Sequence, residues 1–202
     1  MVDEEGRESP LARFNLAARA SHDTHHAGVV AHERAFLGHI NLRGDALDPH
    51  FVGALSTVVG CELPIAANTL NDAQGNVMYW LGPDEWLIVT PGERAATIES
   101  ELRTALTGMR AAVTDVSGGQ TIVNVRGNKA RELLAKGCPI DLHPRVFGIG
   151  QCAQSHIAKA PVIIGQLEIQ PCFEIIIRRS FADYFWLWLE NAAAEYGYAV
   201  AP

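Results

Sequence analysis

The sequence is poor in the signatures of chemistry. Its cysteines, Cys61, Cys138, Cys152 and Cys172, are far apart and form no Cys-x-x-Cys pair, so neither a zinc site nor a redox couple is indicated. Four separate thiols are the pattern of buried, reduced cysteines in a cytoplasmic protein. No apolar run approaches the roughly 20 residues of a membrane helix. Basic residues are outnumbered, 16 Lys+Arg against 23 Asp+Glu, and the net charge of −7 disfavours nucleic acid or an anionic membrane as a partner. Met1–Asn15 starts acidic and has no apolar signal core, which predicts a protein that is not exported. No Gly-x-Ser-x-Gly elbow offers a nucleophile. Gly118-Gly119 follows a strand pattern, but no Gly-x-Gly-x-x-Gly opens the next helix, so dinucleotide binding has no support.

What is present is a folded chain. At 202 residues with 48% hydrophobic content it is long enough for one good core, including one assembled from two similar halves. Residues 1–27 are polar and without period; they are expected to be a flexible arm whose His22, His25 and His26 lack a frame of metal ligands. The ordered domain is expected over 28–202. His39–Arg43 alternates as a half-buried strand. Asp48-Pro49 caps and starts a helix with Phe51, Val52, Leu55, Val58 and Val59 on one face, and Gly60 ends it. Asn76–Leu81 and Glu85–Thr90 flank a Gly-Pro-Asp turn and predict a hairpin. Ile98, Leu102, Ala105 and Met109 mark a second helix, and Ala111–Val116 with Thr121–Arg126 reads as a further strand pair. Asn128 is expected to cap a short helix ending at Gly137. Three strands near 151–157, 162–168 and 172–178 precede a last helix from Ser180, with Asp183 as an acidic capping-box partner. The order is a duplicated β-α-β-β-α type unit with largely antiparallel sheets, an α+β fold, its pseudo-repeats near 28–116 and 117–202.

The last helix is too apolar for one buried stripe. Phe181, Phe185, Trp188, Leu189, Ala192 and Tyr196 share a core sector, while Tyr184, Trp186 and Leu187 lie in or beside the polar arc of Asp183, Glu190 and Asn191. Either loops of the same domain cover this second face, or it is a protein–protein interface with Tyr184, Trp186 and Leu187 as anchors.

Elsewhere the polar residues have plain readings. Asp115 and Ser117 are placed to shape a turn. Asp84 and Glu85 are adjacent in an extended segment and so point to opposite faces. His156 and Lys159 are a single basic pair. Glu174 interrupts the apolar run Phe173–Ile177, where it reaches a cavity or, as the simpler reading has it, turns to solvent.

Leu81-Gly-Pro-Asp-Glu-Trp-Leu87, Asp115-Val-Ser117 with Gly127–Leu142, Cys152–Pro161 and Arg179–Leu189 occur in an order that resembles the gamma subunit of heterotetrameric sarcosine oxidase. The succession of elements is also similar to the folate-binding domain of aminomethyltransferases and tRNA-modifying GTPases. The resemblance implies an aminomethyltransferase-like fold and membership of a complex that demethylates sarcosine to glycine, with formation of peroxide and methylene-tetrahydrofolate. It implies alpha, beta and delta partner subunits carrying FAD, FMN, NAD, tetrahydrofolate and zinc, with no active site, cofactor or metal on this chain. Glu174 falls where the folate-binding family has its pterin-holding glutamate, yet Leu167–Cys172 lacks the glycine-rich run that precedes it there. The alternatives are a stand-alone folate-dependent aminomethyl transferase and a folate-binding regulatory module.

Overall fold

The structure, a computed structural model, describes residues 6–169 and 171–202. In chain order its helices of α type and strands are α1 (Leu16–Arg19), β1 (Val29–Arg34), β2 (Gly38–Arg43), α2 (Pro49–Val59), β3 (Leu70–Ala73), β4 (Asn76–Gly82), β5 (Glu85–Thr90), α3 (Ala95–Ala105), β6 (Ala112–Asp115), β7 (Gln120–Arg126), α4 (Ala130–Ala135), β8 (Gln151–Ile157), β9 (Ala160–Glu168), β10 (Cys172–Arg178), α5 (Ala182–Ala193) and β11 (Tyr198–Val200). They gather into two units, each with its own sheet. The fold is α+β with largely antiparallel sheets, as the element order implied.

The second unit is Phe36–Gly118 with Gly150–Ala153. Its sheet, in the order β3-β4-β5-β2-β6, is antiparallel throughout. Here local rules hold. The Asp48 carboxylate accepts the His50 N–H at 2.9 Å, Pro49 opens α2, and Gly60 closes it at φ 71°, where a side chain would strain the backbone. Ile40, Leu42, Phe51, Leu55, Trp86, Ile88, Ile98 and Leu102 form the core between sheet and helices. Trp86 is fully buried, and its indole N–H donates to the Pro64 carbonyl at 2.8 Å, so its one polar atom is satisfied. Asn76 is buried too: its amide donates to the Val59 carbonyl at 2.6 Å and accepts the Thr90 hydroxyl at 2.7 Å. This ties the end of α2 to the β4–β5 hairpin.

The first unit takes the described residues up to Ala35, then Gly119–Ile149 and Gln154–Pro202. Its sheet runs β11-β1-β7-β10-β9-β8, with β11 and β1 parallel and β1-β7-β10-β9 antiparallel. Val29, Ala31, Val123, Val125, Phe173, Ile175 and Ile177 are buried on one face. Arg131 of α4 stacks over Phe173 at 5.0 Å and donates to the Phe147 carbonyl at 3.2 Å and the Gln166 amide oxygen at 2.7 Å, which pins the segment after the helix.

Several expectations need correction. Ala111–Val116 and Thr121–Arg126 are not a strand pair: β6 pairs with β2, and β7 pairs with β1 and β10. A 3-10 turn at Ser117–Gly119 separates them, so the glycines mark a change of sheet. Asn128 does not cap α4, whose N-cap is Lys129 without a side-chain bond, and Ser180 lies in a 3-10 turn before α5, which has no side-chain cap. Strand β1 leaves the first sequence half to join β7 and β11. In the arm expected to be flexible, Leu11 is 1% exposed, Phe14 packs on Trp186 with ring centroids 6.2 Å apart, and Arg13 meets Asp183 at 3.1 Å. The part of that expectation at 1–5 lies outside the described residues. Among those residues no helix is long and apolar enough to cross a membrane.

Candidate functional site

Glu174 is the one sequence-singled residue that the fold places in a polar strip. Strand β10 sits between β7 and β9, and Glu174 is in register with Asn124 on one side and Gly165 on the other; Asn124 in turn faces His32 of β1. The period of two then puts Arg34 on the same face, and its guanidinium is ion-paired with the Glu174 carboxylate. Glu174 is 1% exposed, so the expectation that it turns to solvent is wrong. Every residue of β10 from Cys172 to Ile177 is buried, so both faces of the strand are covered and neither offers the carboxylate water. Charge compensation from Arg34 is what makes the burial tolerable.

Beside this pair lies a cavity of about 120 Å³, lined by His32, Asn124, Arg126, Glu168 and Cys172 among others. Small-molecule pockets run to about 300–1,000 Å³, so a pterin does not fit this one as it stands. The Asn124 amide oxygen is buried there without a hydrogen-bond partner. Burial, with the charges of Glu168 and Glu174 nearby, pushes the Cys172 thiol up to about 11, which keeps it protonated and inert at neutral pH.

The other sequence candidates are spent on structure. One Asp115 carboxylate oxygen accepts the Ser117 backbone N–H at 2.8 Å and its hydroxyl at 2.5 Å, while the Ser117 hydroxyl accepts the His39 N–H at 2.9 Å. This is a turn that staples β6 to β2. Glu85 accepts from Asn41 at 2.8 Å and Arg43 at 2.6 Å. His22, His25 and His26 are exposed, as are His156 and Lys159. Among the described residues no group of three or more His, Cys, Asp or Glu is arranged to hold a metal ion.

On α5 the two explanations of the second apolar face divide residue by residue. Trp186 is fully buried against Phe14 and Tyr198, and its indole N–H donates to Glu190 at 2.9 Å, so it is no exposed anchor. The chain's own N-terminal segment covers it. Tyr184 and Leu187 stay open, at 39% and 51% exposure. The Arg34 partner of Glu174 was missed in the sequence, although it lies two residues beyond His32 in β1 and the alternation alone places both on one face.

Comparison with known proteins agrees with this architecture. A family model, sarcosine oxidase, gamma subunit family, matches residues 43–195. The sarcosine oxidase subunit gamma of Corynebacterium sp. (strain U-96) is 32% identical over 196 residues, covering 96% of this chain and 93% of that protein. The subunit gamma of an Arthrobacter species is 31% identical, covering 94% and 91%. In a solved structure, the heterotetrameric sarcosine oxidase from Corynebacterium sp. U-96 in complex with pyrrole 2-carboxylate, one chain superposes with a TM-score of 0.82 at 30% identity, over 94% of this chain and 96% of that one. The glycine cleavage aminomethyltransferase T of Bartonella henselae shares the fold, with a TM-score of 0.67 at 15% identity, and the chain covers 58% of it. This chain belongs to the sarcosine oxidase gamma subunit family.

Proposed function

We propose that the chain serves as the gamma subunit of a heterotetrameric sarcosine oxidase, a structural member that supplies no reacting group. The observation that carries the reading is the end-to-end likeness to one chain of such a heterotetramer, 94% of this chain against 96% of that one. A chain that accounts for nearly all of a subunit is suited to the same place in an assembly. The polar residues support it, because Asp115, Ser117, Glu85 and Glu174 are each held by neighbours in the fold. In this reading the partners are alpha, beta and delta chains in the cytoplasm, and FAD, FMN, NAD, tetrahydrofolate and zinc reside on them. Sarcosine is the substrate of the complex, which forms glycine, peroxide and methylene-tetrahydrofolate.

Tyr184 and Leu187 are the proposed contact residues of α5, since both are apolar, adjacent on the helix and open. Glu174 is assigned a structural role toward Arg34 in place of a pterin. The stand-alone aminomethyltransferase reading draws on the shared fold and on a partial sequence match. An aminomethyltransferase of Saccharopolyspora erythraea is matched over only 33% of its length.

The test is affinity purification of a tagged copy from the native host. A stoichiometric complex with three other chains and a flavin spectrum is the expected result; a colourless lone chain that binds tetrahydrofolate would overturn the proposal. Leu187→Asp separates the contact face from the fold. It should weaken assembly while changing the stability of the free chain by no more than about 0.5 kcal/mol, the usual scale of a surface substitution.

A further inference from the structure

A second cavity in the first unit adjoins the one described beside the Arg34–Glu174 pair, sharing His32 and the C-terminal residues Ala201 and Pro202 with it. It holds about 370 Å³ and is walled by Leu11, Leu16, Ala17 and Ala20 of the N-terminal segment, with His32 and Glu33 of β1 at its side. The walls are mostly aliphatic, with Asn15 and His32 as polar members, and Glu33 brings a half-buried carboxylate to them. Ser9 lies within 2.7 and 2.6 Å of its two oxygens, and the Thr121 hydroxyl donates to one of them at 2.9 Å. Ser9 has a single hydroxyl proton, so the two hydroxyls supply two hydrogen bonds to a group that can accept about four. They orient the carboxylate without themselves compensating its charge.

Four cations of the unit near the N-terminal segment are committed elsewhere. Arg34 is paired with Glu174, Arg19 with Glu190 and Arg13 with Asp183, while Arg179 donates to the Glu8 carbonyl at 2.9 Å. Among the described residues no ion pair is formed by Glu33. An oriented carboxylate beside an aliphatic cavity lacks a cation, and the cavity volume lies at the lower end of small-molecule sites. We propose that this groove binds a small organic cation, a protonated amine on a short aliphatic body, with the ammonium on Glu33 and the chain against Leu11, Leu16 and Ala20.

The chemistry explains the pairing of wall and floor. An ammonium head takes the free acceptor sites of the carboxylate as charge-assisted hydrogen bonds, and each methylene buried against the leucines adds to affinity. A carboxylate ligand is repelled, and an alcohol of the same length keeps the apolar contact but loses the charge. All of the lining residues belong to this chain.

The experiment is titration of the full-length chain with n-butylammonium and n-hexylammonium, read by calorimetry and by the fluorescence of Trp186, which packs on Phe14 of the segment that forms the wall. Saturable binding is expected, tighter for the hexyl than for the butyl ion and at least about tenfold weaker for n-hexanol, the scale of one hydrogen bond to a charged group. Glu33→Gln keeps an acceptor for Ser9 and Thr121 and should weaken ammonium binding by the same factor while leaving hexanol unchanged. Ala17→Trp, on an exposed turn, should close the groove to both probes and retain the native fold by circular dichroism. Equal affinity for hexanol and hexylammonium, or binding that survives Glu33→Gln, would reduce the groove to a greasy surface and overturn the proposal; so would the lack of saturable binding.

Discussion

The two units bury polar groups in opposite ways. In the second, Asn76 joins the Val59 carbonyl to the Thr90 hydroxyl through neutral hydrogen bonds at 2.6 and 2.7 Å. In the first, the strand face of β10 buries a charge, and Glu174 is held by Arg34 across the intervening β7. A neutral network adds modest net stability and fixes the register of the elements it joins. A pair with a buried charge is different, because much of its attraction is offset by desolvation, here chiefly of Glu174, since the Arg34 side chain stays 31% exposed. It is costly to break and cheap to replace. Such a pair stabilises one arrangement of β1, β7 and β10 against slipped alternatives more than it stabilises folding itself.

The largest effect should come from breaking the charged pair one-sidedly. Arg34→Met leaves Glu174 buried without its cation and is expected to cost about 3–5 kcal/mol in urea unfolding. The double variant Arg34→Met, Glu174→Met should recover most of that loss. If the single variant loses under about 1 kcal/mol, the first unit does not rely on the pair and the contrast between the units disappears.

Asn76→Ala probes the other side. It strands the Val59 carbonyl and the Thr90 hydroxyl, and each buried polar atom left without a partner costs about 1–3 kcal/mol. A total loss of about 2–3 kcal/mol is expected, since water reaches part of the gap. Adding Thr90→Val should return about 1 kcal/mol by removing one of the stranded groups. A loss above that of Arg34→Met would reverse the ranking of the two units.

The same contrast decides what was legible in the sequence. The second unit's elements follow from neighbouring residues: Asp48, Pro49 and Gly60 bound α2, and the Gly-Pro-Asp turn sets the β4–β5 hairpin within a residue or two. The strands read near 151–157, 162–168 and 172–178 were equally plain, because apolar runs separated by turn residues mark them, and only the second starts earlier than read, at Ala160. What escaped was set by distant segments. Strand β1 has an apolar start and a His-Glu-Arg end, and only its pairing with β7 and β11 makes it a strand. The fate of Glu174 depends on both faces of β10 being covered, and that of Trp186 on Phe14, more than 170 residues away in the chain, arriving to cover it. Neither periodicity nor capping carries such information. The α5 wheel was right in assigning two apolar faces, and the buried set Phe185, Trp186 and Leu189 shows that tertiary cover, not helical phase, settled which side stays dry.

The smallest effect, absent at neutral pH, concerns one buried thiol in each unit. Cys152 of the second unit donates to the Thr69 carbonyl at 3.1 Å in an apolar setting, and burial pushes its thiol from 9.0 up to about 12. Cys172 of the first unit is raised to about 11. A thiol is neutral when protonated, so the folded state binds the proton more tightly than the unfolded chain. Stability from this source is therefore complete below pH 9 and falls as pH rises through the window, at about 1.4 kcal/mol per pH unit for each such thiol. Alkylation with iodoacetamide, followed by mass spectrometry of the peptides, reads both sites in one sample. Below pH 9 the two should react far more slowly than an unfolded control, and on raising the pH Cys172 should begin to label before Cys152, since its thiolate appears about one unit earlier. Labelling of Cys152 ahead of Cys172 would mean that the second unit opens locally at lower cost than the first. The neutral network around Asn76 would then be the weaker fastening of the two.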